Sequence, residues 1–309
     1  MKSICLVAAY FGSWPPNIQI FLETCRRNPT VDFLLFSDCG SLPNAPSNVR
    51  VVEMTLDDVR QRARERLGLE PGIAVPYNLC DFKPTYGILF EDYLDEYDFW
   101  GCTDLDIVYG NIRSFVDKQV LKKNDVISAR KNYLSGFFFL FENKSSINEL
   151  YKCSEDYDKV LKSKNHFSFC ECNFEWEKLH KGKKITSVKT NIESMTEVIE
   201  KKESSNEIDV LFSEIAREKI GFRPILWSEG KVVEGKKEWM LVHFVNIESK
   251  SYFEFPEWKK TPNKFYIYKH GFWNTENRLG FLLEIEWRKI FLSISESIKD
   301  KIMQRINYG

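Results

Sequence analysis

Asp104 and Asp106 are the residues whose type and spacing most clearly indicate chemistry. They follow the apolar run 99–103 and are separated by one residue, in the stretch FWGCTDLDIVYG. In extended backbone, side chains two positions apart point to the same side, so both carboxylates could approach one divalent cation. Mg²⁺ and Mn²⁺ favour such ligands, with phosphate oxygens completing their coordination. The pair therefore predicts a metal site at the end of a strand, with a solvated turn as the alternative.

A second group of potential metal ligands surrounds two cysteines. Cys170 and Cys172 lie between His166 and His180, but this C-x-C spacing fits no common structural zinc site. The eight cysteines include no C-x-x-C pair, and most of them lie within apolar runs, as buried thiols do. We therefore favour reduced cysteines in a cytosolic protein over a zinc site.

Alternating strands and helices are predicted to position the two aspartates. The apolar runs of strand length are residues 4–10, 31–36, 49–54, 99–108, 125–129, 137–141 and 239–244, and the segments with helical spacing are 17–27, 56–67 and 84–97. Such alternation predicts an α/β fold with a mostly parallel sheet and helices on both faces. Ligands of such sheets bind beyond the carboxyl ends of the strands, where Asp104 and Asp106 are expected.

The second half of the chain is more polar. Residues 181–209 are rich in Lys, Glu, Ser and Thr and are predicted to form surface hairpins and loops. Apolar residues recur at helical spacing across 282–302, which predicts a C-terminal amphipathic helix. Trp287 and Phe291 on that helix could contact a lipid surface, but packing against the domain or a second subunit is favoured.

Composition and charge exclude several classes of protein. The 309 residues carry 44 Lys and Arg against 45 Asp and Glu, whereas a nucleic-acid-binding protein normally has a basic excess. With 43% apolar residues the chain can bury a large core, and no apolar run approaches the roughly 20 residues that span a bilayer. We expect a cytoplasmic protein without a nucleic-acid partner. Peripheral contact at the inner face of a membrane, and oligomer formation, stay open.

The D-x-D stretch and its surroundings resemble a known class of enzymes. Residues 77–84 (YNLCDFKP), a predicted helix and then FWGCTDLDIVYGNI are similar to nucleotide-sugar glycosyltransferases of the GT-A fold, a Rossmann-like architecture. The similarity is strongest to a group of bacterial polysaccharide-biosynthesis glycosyltransferases, and it covers residues 1–145 better than the rest. It implies that Asp104 and Asp106 bind Mn²⁺ or Mg²⁺ together with the diphosphate of a nucleotide-sugar donor, most often a UDP-hexose.

The resemblance also implies roles for His243 and Lys250. Metal-dependent members of the fold commonly supply a late histidine as the third protein ligand, and His243 lies in the apolar run LVHF. Two carboxylates, one imidazole and two phosphate oxygens make a plausible Mn²⁺ sphere. A lone histidine beside a strand is otherwise more often structural. Lys250 stands where related retaining enzymes place a lysine on the diphosphate, although their glycine-and-tryptophan signature is absent here.

The nucleotide itself is expected at the ends of the first two strands. Residues Ala9, Tyr10 and Phe11 match the position that usually cradles the base, and Tyr10 could stack on it or fill the core. Asp38, after the second strand, matches a position that often contacts nucleotide, with a turn cap as the alternative.

Lys83 and Glu171 are the remaining candidates. Lys83, just before Pro84, could neutralise phosphate or hold Asp104 in place, or be a solvated surface lysine. The family often has an Asp-Glu pair where this chain has Cys170-Glu171, so Glu171 is a candidate general base or acceptor contact, with a helix surface as the alternative. Among the aromatic residues, Tyr10, Trp100, Tyr109 and Trp176 could flank base and sugar rings.

The resemblance, together with the predicted metal site, implies a metal-dependent hexosyltransferase acting on a saccharide or lipid-linked saccharide acceptor in surface polysaccharide synthesis. The catalytic domain is expected over residues 1–280, with a nucleotide-binding half (1–145), an acceptor half (146–280) and the C-terminal helix over 281–309. A nucleotidyltransferase also uses paired acids and Mg²⁺, but the segment after the first strand is poor in the glycine and basic residues it would need. A non-catalytic saccharide- or protein-binding partner with the same fold is the other alternative.

Overall fold

The computed structural model describes residues 2–221, 223–245, 253–269, 271–274 and 294. The strands in this part of the chain are β1 Ile4–Ala9, β2 Asp32–Ser37, β3 Val49–Glu53, β4 Phe99–Thr103, β5 Ile107–Tyr109, β6 Val126–Ser128, β7 Phe138–Glu142, β8 Val210–Phe212, β9 Ala216–Arg217, β10 Ile225–Ser228, β11 Lys231–Glu234, β12 Lys237–Trp239, β13 Leu241–His243, β14 Lys264–Tyr268 and β15 Gly271–Asn274. The α-helices are α1 Ile18–Arg26, α2 Leu56–Leu67, α3 Tyr86–Leu89, α4 Glu91–Leu94, α5 Lys118–Lys123, α6 Ser145–Asn148, α7 Tyr157–Lys162, α8 Trp176–His180 and α9 Met195–Ser204. Short 3₁₀ helices cover Pro76–Cys80, Lys83–Thr85, Ile112–Ser114, Leu150–Cys153 and Ile185–Ser187.

A mixed, mostly parallel sheet forms the centre of the fold. Its strand order is β3-β2-β1-β4-β7-β6-β8. Strands β1 to β4 run parallel, β7 is antiparallel to both β4 and β6, and β8 runs parallel to β6. The predicted α/β class with a mostly parallel sheet is therefore confirmed. Because the parallel strands end at one edge of the sheet, the segments that follow β1, β2 and β4 meet there.

Helices cover both faces of this sheet, as predicted. Alternate side chains of β1 point to opposite faces: Ile4, Leu6 and Ala8 enter one buried cluster, and Cys5 and Val7 enter another. The first cluster is closed by α1 and α5, and the second by α2, α3, α4, α6, α7 and α9. A β1 strand without solvent contact on either face explains why its sequence is continuously apolar.

Two smaller sheets are formed mostly by strands from the second half of the chain. Strands β12-β11-β10-β14-β15 form an antiparallel sheet, and β5-β13-β9 form a three-stranded one. The latter joins the D-x-D region to the C-terminal half, because β13 pairs with β5. The predicted single strand over 239–244 is interrupted at Met240, whose side chain is fully buried in the cluster beneath α1.

Three further sequence predictions are corrected by the structure. The helix expected over 84–97 is broken at Phe90, whose ring stacks on Phe36 with centroids 3.9 Å apart. The strand expected over 99–108 ends at Thr103, and the chain bends before β5 joins a different sheet. Residues 181–209 contain helix α9 rather than only hairpins and loops. By contrast, α2 matches its predicted bounds, with a capping box between Thr55 and Asp58 at its start.

Some of the sequence predictions concern regions at or beyond the limits of the residues that the structure describes. No helix among them is long and apolar enough to span a bilayer. Lys250 lies outside the described residues, and so does the predicted helix over 281–309 apart from residue 294.

Candidate metal centre

Asp104, Asp106 and His243 come together at the end of β4. One ligand atom from each side chain lies within 4.8 Å of the others. The aspartates occupy the bend between β4 and β5, and the antiparallel pairing of β5 with β13 places Ile107 opposite His243. The backbone N–H of Phe244 also donates to the carbonyl oxygen of Asp106, at 3.1 Å. Strand pairing, rather than sequence proximity, therefore brings the histidine to the aspartates.

The bend that carries the aspartates is held by its neighbours. The Asn17 side-chain amide, at the start of α1, donates to the carbonyl oxygen of Leu105. The Thr103 hydroxyl donates to the carbonyl oxygen of Asp104 at 2.9 Å, and the Tyr109 hydroxyl donates to Thr103 Oγ1 at 2.7 Å. Both carboxylates thus project from a backbone with fixed hydrogen-bond partners, although not from the continuous strand that the sequence predicted.

Lys83 is buried beside Asp104. Its Nζ lies 2.6 Å from Asp104 Oδ1 and donates to the carbonyl oxygen of Gly136 at 2.8 Å. Burial is the largest single influence and acts to lower the pKa of Lys83, but Asp104 and three neighbouring cysteines together outweigh burial and raise that pKa well above its usual value. The lysine is therefore charged, and of the two predicted roles the contact with Asp104 is present.

His243 is held between two carboxylates. Its Nδ1 lies 2.9 Å from Glu218 Oε1, and its Nε2 lies 3.3 Å from Asp106 Oδ2. Burial acts to lower the pKa of His243, but Asp106 and Glu218 outweigh it and raise the pKa to about 10. Burial likewise acts to raise the pKa of Asp106, and His243 outweighs it, so that pKa is lowered. With Nδ1 paired to Glu218, Nε2 is the nitrogen that faces Asp106.

Glu218 belongs to a charged cluster that the sequence did not reveal. Arg130 Nη1 lies 3.2 Å from Glu218 Oε2 and 2.7 Å from Glu214 Oε1, and Arg130 Nη2 lies 2.9 Å from His180 Nε2. Glu218 follows β9 directly, so its carboxylate at a strand end is the one sequence signal that could have identified it, as the same signal identified Asp104. Strand β9 has two residues, too few for a periodic pattern to mark it.

The residues predicted to bind the nucleotide lie at the ends of β1 and β2. Strand β1 ends at Ala9, and the backbone N–H of Gly12 donates to Asp38 Oδ1 at 2.7 Å, so Asp38 ties the two segments together. The ring of Tyr10 stacks on the ring of Trp14, with centroids 6.1 Å apart. Burial, followed by the charges of Cys39 and Asp106, raises the pKa of Tyr10, which is consistent with a place near the aspartates.

The aromatic candidates divide between core and surface. Phe11 packs in the cluster beneath α2. Trp100 and Tyr109 are fully buried, and the Trp100 indole N–H donates to Asn148 Oδ1. The suggestion that these two rings flank base or sugar was therefore wrong. Trp176 is half-buried beside Glu171.

Glu171 and Lys83 form hydrogen bonds with the backbone of the same residue, Gly136. The backbone N–H of Gly136 donates to Glu171 Oε1 at 3.0 Å, while the carbonyl oxygen of the same glycine accepts from Lys83. The indole N–H of Trp176 donates to Glu171 Oε2 at 2.9 Å. Burial raises the pKa of Glu171 above its usual value. A carboxyl group with a raised pKa near a metal site is suited to proton transfer.

The donor set at Asp104, Asp106 and His243 suits a hard or borderline divalent cation. Carboxylates favour Mg²⁺ and Mn²⁺, and an imidazole is better tolerated by Mn²⁺. A metal-binding histidine commonly donates its other ring N–H to a carboxylate, and Glu218 is in that place. Among the residues that the structure describes, no other group of three or more His, Cys, Asp or Glu ligand atoms comes together in this way. Cys170 and Cys172 are buried free thiols.

Comparisons with known proteins place the chain in a family. The model of a family of unknown function (DUF6625) matches residues 6–276, so the chain belongs to that family. No curated protein matches the chain in sequence. Among solved structures, it is similar to the galactosyltransferase LgtC in complex with donor and acceptor sugar analogs, with 12% identity over 71% of this chain and 75% of that chain and a TM-score of 0.30. This TM-score is too low for the likeness to bear on fold or function.

Proposed function

We propose that this protein is a metal-dependent glycosyltransferase. It would move a hexose from a nucleotide-diphosphate sugar, most often a UDP-hexose, to a saccharide or lipid-linked saccharide acceptor in surface polysaccharide synthesis. The observation that carries the proposal is the meeting of Asp104, Asp106 and His243 within 4.8 Å at the carboxyl end of a parallel strand. The resemblance of the D-x-D stretch to GT-A enzymes supports the same function.

Each residue of the centre has a part in this proposal. Asp104, Asp106 and His243 would hold Mn²⁺ or Mg²⁺, which when bound acts as a Lewis acid toward the leaving diphosphate. Lys83 fixes the Asp104 carboxylate and adds positive charge near the phosphates. The loop after β1, with Ala9, Tyr10 and Phe11, and Asp38 beside it would bind the nucleotide. Lys250 stays a predicted diphosphate contact.

Glu171 is the proposed contact with the acceptor. An inverting transfer needs a carboxylate to take the proton of the attacking hydroxyl. Glu171 is the described carboxyl group whose pKa is raised by burial and whose hydrogen bonds lead to Lys83 through Gly136. In a retaining transfer, where the departing diphosphate could take the proton, the same side chain would orient the acceptor.

Calorimetry with UDP, GDP and ADP, in the presence of Mn²⁺ and then of EDTA, tests the proposal. We expect the wild type to bind at least one of them only with metal. Asp106→Asn should lower sugar transfer by roughly 10³-fold, since it removes charge stabilisation from the leaving group, while Asp158→Asn, in a surface ion pair with Lys162, should have no effect. No metal-dependent binding in the wild type would favour a non-catalytic partner. Release of pyrophosphate rather than nucleoside diphosphate would indicate a nucleotidyltransferase.

A further inference from the structure

A row of aromatic rings lies next to Glu171. Tyr77 packs edge-to-face on His166 with centroids 4.9 Å apart, His166 on Phe174 at 5.4 Å, and Phe174 on Trp176 at 5.5 Å. We call these residues the aromatic row. Edge-to-face packing uses the rim of one ring and leaves other faces free. The row therefore has aromatic faces to offer to a ligand.

Two members of the row are strongly exposed. Tyr77 is 64% exposed and Phe174 is 47% exposed, and they are among the few large hydrophobic side chains in the described chain that face solvent. Exposed apolar groups that lie together commonly mark a ligand or partner site. Trp176 and His166 are half-buried and pack against the two exposed rings.

The backbone is strained where it presents Phe174. Ser168, Asn173 and Phe174 have φ angles of 51°, 51° and 66°, and a positive φ is unusual for a bulky residue. The segment is held by side-chain contacts: Asn173 Nδ2 donates to the carbonyl oxygen of Phe167, and Asp81 accepts from the backbone N–H groups of Phe167 and Phe169. Asp81 therefore holds this segment in place. Strain that the surroundings maintain is typical of functional sites.

The row is continuous with the candidate metal centre. Trp176 donates to Glu171, Glu171 accepts from the N–H of Gly136, and the carbonyl oxygen of Gly136 accepts from Lys83, which pairs with Asp104. Each of these contacts is 3.0 Å or shorter. A molecule that lay on the row would therefore end beside Glu171 and close to the metal ligands.

We propose that the aromatic row binds the acceptor as a neutral saccharide, with pyranose rings on the exposed faces of Tyr77 and Phe174. A pyranose has an apolar C–H face, which fits an aromatic ring, and a rim of hydroxyl groups, which needs hydrogen-bond partners. The polar side chains next to these rings are His166, which packs against both Tyr77 and Phe174, and Glu171, which accepts from Trp176. The role as acceptor site rests on the proposed function, whereas the binding of saccharide does not.

An array of neutral oligosaccharides of hexoses and N-acetylhexosamines, probed with the fluorescently labelled full-length chain, tests the row. We expect the wild type to bind at least one of them. Phe174→Gly and Tyr77→Ala should each weaken that binding by about tenfold or more, as loss of an aromatic anchor does. Val75→Ala, which removes an exposed side chain without an aromatic face, should leave binding unchanged. The proposal is overturned if the wild type binds none of the saccharides, or if both aromatic variants bind them as the wild type does.

Two further measurements separate the alternatives. Phe174→Gly should melt at or above the wild-type temperature, because glycine accepts a positive φ without strain; a large fall would mean that the ring serves packing, and would overturn the proposal. The same variants should bind nucleoside diphosphate with Mn²⁺ as the wild type does. Saccharide binding without any metal-dependent nucleotide binding would refute the proposed transferase while leaving the saccharide site standing. Metal-dependent nucleotide binding without saccharide binding would refute the saccharide site while leaving the proposed transferase standing.

Discussion

The candidate metal centre and the aromatic row are linked to different backbone groups of Gly136, and they are held in place by different means. Asp104, Asp106 and His243 follow or end strands, and strand pairing fixes their separation. The aromatic row lies on a 3₁₀ helix, a strained turn and the start of the short helix α8. The centre is thus positioned by regular backbone pairing, and the row by side-chain hydrogen bonds to irregular backbone.

The two regions also differ in how their side chains are satisfied. Around the metal centre each charge has a partner of opposite sign: Lys83 with Asp104, His243 with Asp106 and Glu218, and Glu218 with Arg130. In the row, Tyr77 and Phe174 leave apolar surface in water. Changes of charge at the residues of the centre should therefore damage the centre and spare the row, and loss of an aromatic ring in the row should do the opposite.

Glu218→Gln is expected to give the largest effect of the three changes that test this contrast. The two carboxylate oxygens of Glu218 serve different partners, Oε1 facing His243 and Oε2 facing Arg130. Glutamine has one acceptor oxygen, so one of the two contacts must be lost. Loss of a carboxylate behind a metal-binding histidine typically lowers metal affinity by about 10–100-fold, and we expect that loss for Mn²⁺ in calorimetry at pH 8.

Glu234→Gln is the matched control for that variant. Glu234 also pairs with an arginine, Arg217, and its side chain is 18% exposed against 21% for Glu218. We expect its Mn²⁺ affinity and the saccharide binding of both variants to equal those of the wild type. Equal Mn²⁺ affinity in Glu218→Gln and Glu234→Gln would show that Glu218 does not position His243 for metal.

The pH dependence of Mn²⁺ binding gives the second contrast. The pKa of His243 is raised from 6.5 to about 10, so below pH 10 the metal must displace a proton from the imidazole. Apparent Mn²⁺ affinity should then rise by about tenfold per pH unit between pH 7 and 8. The favourable charge interactions of the imidazolium stabilise the fold fully below the unfolded pKa, near 6.5, and this stabilisation is lost as pH rises through about 10.

Proton release measures the same competition directly. Calorimetry of Mn²⁺ binding in buffers of different ionisation enthalpy should show about one proton released per ion at pH 7. Burial raises the pKa of Tyr77 from 10, so this ring stays neutral in the same range and saccharide binding to the row should vary much less with pH. Metal binding that releases no proton at pH 7 would mean that the imidazole is already neutral.

Local patterns were sufficient to predict most of the elements around the centre. Strands β1, β2 and β3 and helices α1 and α2 lie within one or two residues of their predicted bounds, because their apolar periodicity follows from burial on one or both faces. The break at Phe90 could not be predicted, since it depends on stacking against Phe36 from another element. Helix α9 carried a signal, with Met195, Val198 and Ile199 buried at helical spacing, but the surrounding charged residues obscured it.

The candidate site was predictable partly from a strand end and partly from the resemblance. Asp104 and Asp106 follow an apolar strand, whereas the roles of His243 and Lys83 came from the resemblance to GT-A enzymes. The proximity of these residues agrees with the expected metal site, although their roles stay predictions. Arg130 gave no local sign because its partners are distant in sequence. The positive φ of Phe174 gave none either, since phenylalanine does not favour that conformation. Sequence patterns report regular elements, whereas irregular turns depend on contacts formed only in the folded chain.

Gly136→Ala is expected to give the smallest effect, and it acts on both regions at once. A Cβ at this position would lie 2.9 Å from Cys170 Sγ and 3.3 Å from Glu171 Cγ, so both side chains must shift by a few tenths of an ångström. The carbonyl contact with Lys83 lies on the backbone and can persist. We therefore expect saccharide binding and transfer to fall several-fold, roughly as one misplaced hydrogen bond does, with Mn²⁺ affinity unchanged.

The double variant Gly136→Ala with Cys170→Ala tests whether steric contact is the cause. Removing Sγ clears the shorter of the two contacts, so the double variant should recover part of the lost saccharide binding. Cys170→Ala alone, which creates a small buried space, serves as the control for the loss of the thiol. Gly136→Ala could instead lower Mn²⁺ affinity as strongly as it lowers saccharide binding. That result would show that the two regions do not respond independently, and it would contradict the division between a centre positioned by strand pairing and a row positioned by side-chain hydrogen bonds.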